Sequence, residues 1–199
     1  MPIIYGEYFD MSDYTDGQLY IRYLKDNDED SFRILFEKYK DSLFLFLNRI
    51  VFNEDDAEEL MMDTFAILSS GTAKYKERDN ISFKTWLYAI AKNQAKMFLR
   101  KNKTSFIELD ENNLSENGQV LSPESNLLTN ERNSELYVAL NHLDYDTRQV
   151  LYLIYFENMS AEEISKIMKM NIKKIYNITS RGKAALKDKL ERMGYTWNI

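Results

Sequence analysis

The chain has 199 residues, 44% of them hydrophobic and 29% charged, with a formal net charge of −6; that is enough for one large or two small domains with a packed core and a solvated surface. It has no cysteine, which excludes disulfides, thiolate metal sites and cysteine nucleophiles, and only one histidine, His142, which excludes a multi-histidine metal site. Six glycines and two prolines are few for strands and tight turns, so the composition points to helices.

The opening residues, MPIIYGEYFDMSDYTD, are acidic and lack the basic-then-apolar order of a secretion signal. The longest dense apolar run, Leu43–Leu47, falls far short of the roughly 20 residues a membrane helix needs. The expectation is a soluble chain of a reducing cytoplasm. In chain order, Asp30 or Ser31 is placed to cap a helix that continues through Phe32, Leu35, Phe36, Tyr39, Leu43 and Leu47. Asn53 begins the next, with Glu54, Asp55 and Asp56 in its first turn, where acids favour the helix dipole, and Gly71 ends it. Ser82 starts a long helix through Trp86, Leu87, Ile90, Ala91, Ala95, Phe98 and Leu99, which read as core positions. Residues 104–130 are rich in Asn, Ser and Glu and read as an acidic, flexible linker. Helical patterns resume over 131–142 and 144–157.

Charge is segregated along this order. Residues 7–63 carry a net −10, 74–103 a net +7, 104–133 a net −5 and 166–192 a net +7. A uniformly acidic protein repels nucleic acid, whereas two basic segments can each neutralise phosphates locally and release counterions. A lysine-rich helix is otherwise simply a solvated face.

The last basic segment has a specific shape. Ser160 and Glu163 have the spacing of a capping box, and the helix they open buries Ile164, Ile167 and Met168. A turn at Lys169–Asn171 follows, and Asn171 caps a second helix with an apolar stripe of Ile172, Ile175, Ile178, Thr179, Gly182 and Leu186. Its other side shows Lys173, Lys174, Tyr176, Asn177, Ser180, Arg181 and Lys187. This is the pattern of a helix-turn-helix, in which one anchored face lets the other enter a major groove at fixed register. Lysine and arginine suit phosphate or guanine there, and asparagine suits adenine.

Leu143–Leu190 resembles the promoter-reading C-terminal domain of bacterial sigma factors of the sigma-70 family, through the order "RQVLYL", "SAEEI", second helix and basic tail. The stretches "DSFRILFEKYKDSLFLFLNRI", "DDAEELMMDTFAIL" and "SFKTWLYAIAKNQAKMFLRKNK" resemble the second domain of the same family in order and spacing. With only these two domains present, the chain is similar to the extracytoplasmic-function group. The resemblance covers about residues 19–103 and 131–193 and implies an all-α fold of two helical domains. Residues 1–103 would form domain 2 and 131–199 domain 4, the latter a helix-turn-helix, joined by the 104–130 linker.

The resemblance also implies roles. Asp56, Glu58, Glu59, Leu60, Met61, Asp63 and Phe65 fall in the segment that docks on the β′ clamp helices of core RNA polymerase, with the β flap a further contact. An acidic, Met-bearing helix suits a basic, adaptable partner. Lys84, Lys92, Asn93, Lys96, Arg100 and Lys101 fall in the segment that reads and melts the minus-ten element. The loop Lys74–Ile81 would face the unpaired strand, with Tyr75 placed to stack on a flipped base. Lys173, Lys174, Tyr176, Asn177, Ser180, Arg181 and Lys183 would read the minus-thirty-five element. The implied partners are core RNA polymerase, promoter DNA and, as for many members, an anti-sigma factor, with no cofactor and no small-molecule substrate. The acidic linker would thread toward the RNA exit path, its charge mimicking nucleic acid.

Four positions depart from the family pattern: Lys169 stands where glycine is common in the turn, Tyr176 and Ile178 stand where basic residues are common, and Met97 replaces an acid. The other reading of the helix-turn-helix is a DNA-binding regulator that does not replace a sigma factor. The N-terminal half separates the two, because a receiver domain would alternate strands and helices and this half does not. An enzyme is disfavoured by the lack of a glycine-rich phosphate loop, a metal cluster or a triad.

Overall fold

A computed structural model describes residues 14–76, 81–103, 136 and 138–194. The 104–130 linker and the middle of the Lys74–Ile81 loop lie outside the described residues. The architecture is all-α. Among the described residues, four helices form the first half: α1 (Asp16–Asp26), α2 (Glu29–Val51), α3 (Glu54–Ser69) and α4 (Phe83–Lys103). In the second half the described residues give α5 (Tyr145–Tyr155), α6 (Ala161–Met168) and α7 (Ile172–Arg192). A helical turn at 138–141 precedes α5. Among the described residues, no helix is long and apolar enough to cross a membrane.

Each boundary has a local cause. Thr15 and Gln18 close a capping box on α1, which the sequence reading had not singled out. α2 starts at Glu29, its cap Asp28 two residues ahead of Asp30 and three ahead of Ser31, the expected caps. Asp28 is its N-cap residue, but its carboxylate is spent on the Ser31 hydroxyl at 2.9 Å and the Arg22 Nε at 2.5 Å. Asn53 accepts from the Asp56 N–H at 2.9 Å and opens α3, and Gly71, at φ +64, lets the chain leave that helix. Ser82 accepts from the Thr85 N–H at 3.1 Å and opens α4. In the second half Asp144, Ser160 and Asn171 cap α5, α6 and α7 through the N–H groups of Thr147, Glu163 and Lys174.

The first half packs around α2, whose Leu35, Leu43, Phe46 and Leu47 are fully buried. They recur at helical spacing and meet Leu68 of α3 and Leu87, Tyr88 and Ala91 of α4. Beside them Tyr20, Phe83, Trp86 and Tyr75 form an aromatic cluster with ring centroids 5.1–6.2 Å apart. In the second half Ala139, Leu140, Leu143, Leu151, Leu186 and Leu190 make a small separate core. At Gly182 of α7 a Cβ would lie 2.6 Å from the Thr147 methyl and 3.1 Å from Leu151 Cδ1, so only glycine lets α7 cross α5 this closely.

The two halves also share a core. Val150, Tyr152, Leu153, Ile164 and Met168 belong to the same buried cluster as Phe46 and Leu87. α4 packs on α6 and α2 packs on α5. The Phe46 and Tyr152 rings lie 5.9 Å apart, and the Tyr152 hydroxyl donates to the Ser42 carbonyl at 3.4 Å.

Candidate nucleic-acid and polymerase interfaces

The recognition helix α7 is held by Ile175, Gly182, Leu186 and Leu190, all buried. Ile178 and Thr179 are half-buried, but Ile172, expected on the buried stripe, is exposed because it sits in the first turn, ahead of the α5 contact. The turn before α7 places Lys169 at φ 54, the left-handed conformation that glycine adopts at no steric cost. Anchored in this way, α7 exposes Lys173, Lys174, Tyr176, Asn177, Ser180 and Arg181 together. Tyr176, the one aromatic of this helix, is 55% exposed. Lys174 faces Asp146 of α5 at 3.8 Å, a loose pair in solvent. Lys183 lies on the flank, its ammonium 6.0 Å from the Tyr155 ring centre, so it covers an aromatic as well as carrying charge. An open groove runs between α5 and α7, lined by Asp144, Thr147, Asn177 and Arg181.

On α4 the basic residues divide into two sets. Lys96, Arg100 and Lys101 are exposed toward the helix end, beside Met97. Lys84, Lys92 and Asn93 are half-buried. The Lys84 ammonium sits 2.8 Å from the Glu157 carboxylate and donates to the Glu157 carbonyl at 2.9 Å. Burial lowers the pKa of Lys92; Asp146 opposes this, and the charges of Lys96 and Lys169 add to it. Tyr75 is half-buried in the aromatic cluster, its ring steeply inclined to those of Tyr20 and Phe83.

On α3 the helix phase divides the seven residues between core and surface. Leu60, Met61 and Phe65 are buried at 8% exposure or less and build the helix from its core side. The exposed side is Glu58, Glu59, Asp63 and Met62, with Asp56 half-buried. Met62, 51% exposed, was missed; it stands opposite the Ala57, Leu60, Met61 and Thr64 face, and that phase was visible in the sequence.

Two acids that the sequence reading did not connect to α4 meet it. Glu163 accepts with Oε2 from the Ser160 N–H at 3.0 Å, closing its own capping box. With Oε1 it accepts from Ser82 at 3.1 Å and Thr85 at 3.0 Å. Burial opposes its charge, but the bonds from Ser160, Thr85 and Ser82 outweigh this and hold the carboxyl below the usual glutamate value. Glu157 is buried, and Tyr88 beneath it is pushed well above the ordinary tyrosine range by burial and by the nearby Glu157 charge. No group of three or more His, Cys, Asp or Glu side chains able to hold a metal occurs among the described residues.

The chain matches the family Sigma-70 region 2 over residues 35–104 and Sigma-70, region 4 over residues 133–186. It is 26% identical over 167 residues to the ECF RNA polymerase sigma factor SigX of Bacillus subtilis, covering 82% of this chain and 85% of that protein. It is 24% identical over 189 residues to the ECF RNA polymerase sigma-E factor of Escherichia coli K12, covering 91% and 97%. Among solved structures it resembles the sigma factor RpoE of Bartonella quintana, solved with the anti-sigma factor NepR, with a TM-score of 0.62 and 23% identity over 80% of this chain and 96% of that one. It also resembles CnrH, solved with the cytosolic domain of CnrY, with a TM-score of 0.61 and 17% identity over 89% and 97%. Both halves that the sequence singled out are therefore matched in order, and the chain belongs to the sigma-70 family of RNA polymerase sigma factors, in the extracytoplasmic-function group, which direct promoter-specific transcription initiation.

Proposed function

We propose that this sigma factor divides its work between three surfaces. The outward face of α7, with Lys173, Lys174, Tyr176, Asn177, Ser180 and Arg181, reads the minus-thirty-five element, and Lys183 adds charge from the flank. The exposed end of α4, with Lys96, Arg100 and Lys101, meets the minus-ten DNA, and Lys84, Lys92 and Asn93 join it when they are uncovered. The exposed side of α3, with Glu58, Glu59, Met62 and Asp63, docks on a basic clamp surface of polymerase. The chain works by binding and deforming DNA, with no covalent step of its own, and does so in the cytoplasm. An anti-sigma factor is a further partner, in keeping with the anti-sigma factor NepR bound to RpoE.

The observation that carries this reading is the coexistence of a basic face on an anchored recognition helix with a separate acidic, Met-bearing face on α3. A stand-alone repressor has use for the first only. The test is a footprint of core polymerase on promoter fragments selected with this chain. Protection of two separate elements is expected with the chain and polymerase together. Protection of one element by the chain alone, unchanged by polymerase, would favour the regulator instead.

A further inference from the structure

The start of the recognition helix carries an apolar patch that its charge does not explain. Ile172 is 38% exposed and Tyr176 55%. Residues four apart on a helix are neighbours, and a long side chain leans back over the turn before it, so the two form one patch. Single apolar residues on a surface are ordinary. Among the described helices, however, no other exposes two large apolar side chains one turn apart.

The patch lies where base edges are met. The N-terminal residues of a recognition helix are the ones that reach into the major groove. Buried Ile175, Gly182 and Leu186 fix the rotation of α7, and Lys173, Lys174, Asn177 and Arg181 are exposed around the patch. Cations seated on phosphates set register but carry no sequence information. The apolar feature that a base pair shows in that groove is the C5-methyl group of thymine. The Ile172 side chain has no polar atom, so phosphates and polar base edges give it nothing. Driving water from between it and a methyl group is favourable. The Tyr176 ring can join that contact while its hydroxyl stays wet at the rim.

We infer that Ile172 and Tyr176 are a specificity-determining pair that reads thymine methyl groups, so that the minus-thirty-five element of this chain contains A·T pairs whose thymines face the start of α7. The inference deepens the assignment of α7 above and rests on it. The cations supply affinity that falls with salt, and the apolar pair supplies discrimination that does not.

Exchanging thymine for uracil removes the methyl group and keeps every hydrogen-bonding group of the base pair. Binding of the chain with core polymerase is measured on promoter fragments selected with this chain, the thymines of the upstream element on either strand being exchanged one at a time. With the native chain at least one exchange should weaken binding about fourfold, the worth of one buried methyl group. With Ile172→Ala, Tyr176→Ala, a change confined to two exposed side chains, thymine and uracil should bind alike. The affinity lost in that variant should leave the slope of log affinity against log salt unchanged, because an apolar contact releases no counterion. Tyr176→Phe, which keeps the ring, should retain the preference for thymine. Selected elements without an A·T pair, no effect of uracil at any position, an equal effect in native and doubly changed chains, a lowered salt slope in the latter, or a preference lost in Tyr176→Phe would each overturn the inference. A scrambled upstream element separates the two levels. Binding that falls on scrambling but ignores uracil removes the methyl reading and leaves the assignment of α7 intact, whereas binding indifferent to scrambling removes the assignment itself.

Discussion

Removing charge from the groove face of α7 gives the sharpest quantitative prediction. In Lys173→Ala, Lys174→Ala, Arg181→Ala three exposed cations on the groove face of the recognition helix are lost together. Each phosphate contact contributes about 0.9 to the slope of log affinity against log salt, which at about 0.15 M is worth roughly fivefold. Three full contacts would amount to about a hundredfold. Lys174 already faces Asp146 at 3.8 Å, so its share is smaller, and the expected loss is about 30- to 100-fold with a slope lower by about 2 to 3. The assay is competition binding of the polymerase complex to promoter DNA across a salt series, with polymerase affinity measured in parallel. A loss of affinity with the slope unchanged would mean that these side chains do not meet phosphate. An equal loss of polymerase affinity would mean that α7 serves the partner and not the DNA.

Other outcomes follow from particular contacts. Gly182→Val places a side chain where a Cβ alone would sit 2.6 Å from Thr147, and should destabilise the second half by about 2 kcal/mol in chemical denaturation. Reversing Glu59 together with Met62→Lys on the exposed side of α3 should weaken core polymerase binding about tenfold or more without moving the unfolding midpoint, while Leu60→Ala, a core truncation, should cost about 2–5 kcal/mol of stability. Glu163, whose carboxyl is held below its ordinary value, supports the fold where it is ionised, above its unfolded value near 4.3, and that support is lost as the pH falls through the lower folded value. The difference in thermal midpoint between the native chain and Glu163→Gln should therefore be constant above about pH 5 and shrink as the pH falls below the unfolded value; a difference that grows on acidification would contradict the hydrogen bonding at the α6 cap.

Local features were legible because their causes are local. Asn53, Ser82, Asn171 and the Ser160–Glu163 capping box each announce a helix start within four residues, and each stands where expected. The basic face of α7 followed from spacing, whereas Lys169 was singled out only by the resemblance, as standing where glycine is common, and it keeps the left-handed conformation. The start of α2 was misplaced because Asp28, Asp30 and Ser31 are all able caps, and the choice fell to Asp28, which Arg22 of α1 fixes in place. Met61 and Met62 are neighbours of the same type, and only the phase of α3 decides that Met62 faces solvent and Met61 the core. What no local pattern carries is the second use of Glu163 and the engagement of Lys84. Glu157 and Lys84 are 73 residues apart in sequence, Ser82 and Glu163 81. Such pairs leave no periodicity, only ordinary surface charges that happen to meet.

The central claim is that this chain gives polymerase a promoter preference. Run-off transcription with purified core polymerase, on templates chosen from transcripts that rise when the chain is overexpressed, tests it most directly. Discrete transcripts that start at one position downstream of a shared pair of elements, and that require the chain, are expected. Core polymerase that binds the chain yet initiates with no change in position or selectivity would contradict it.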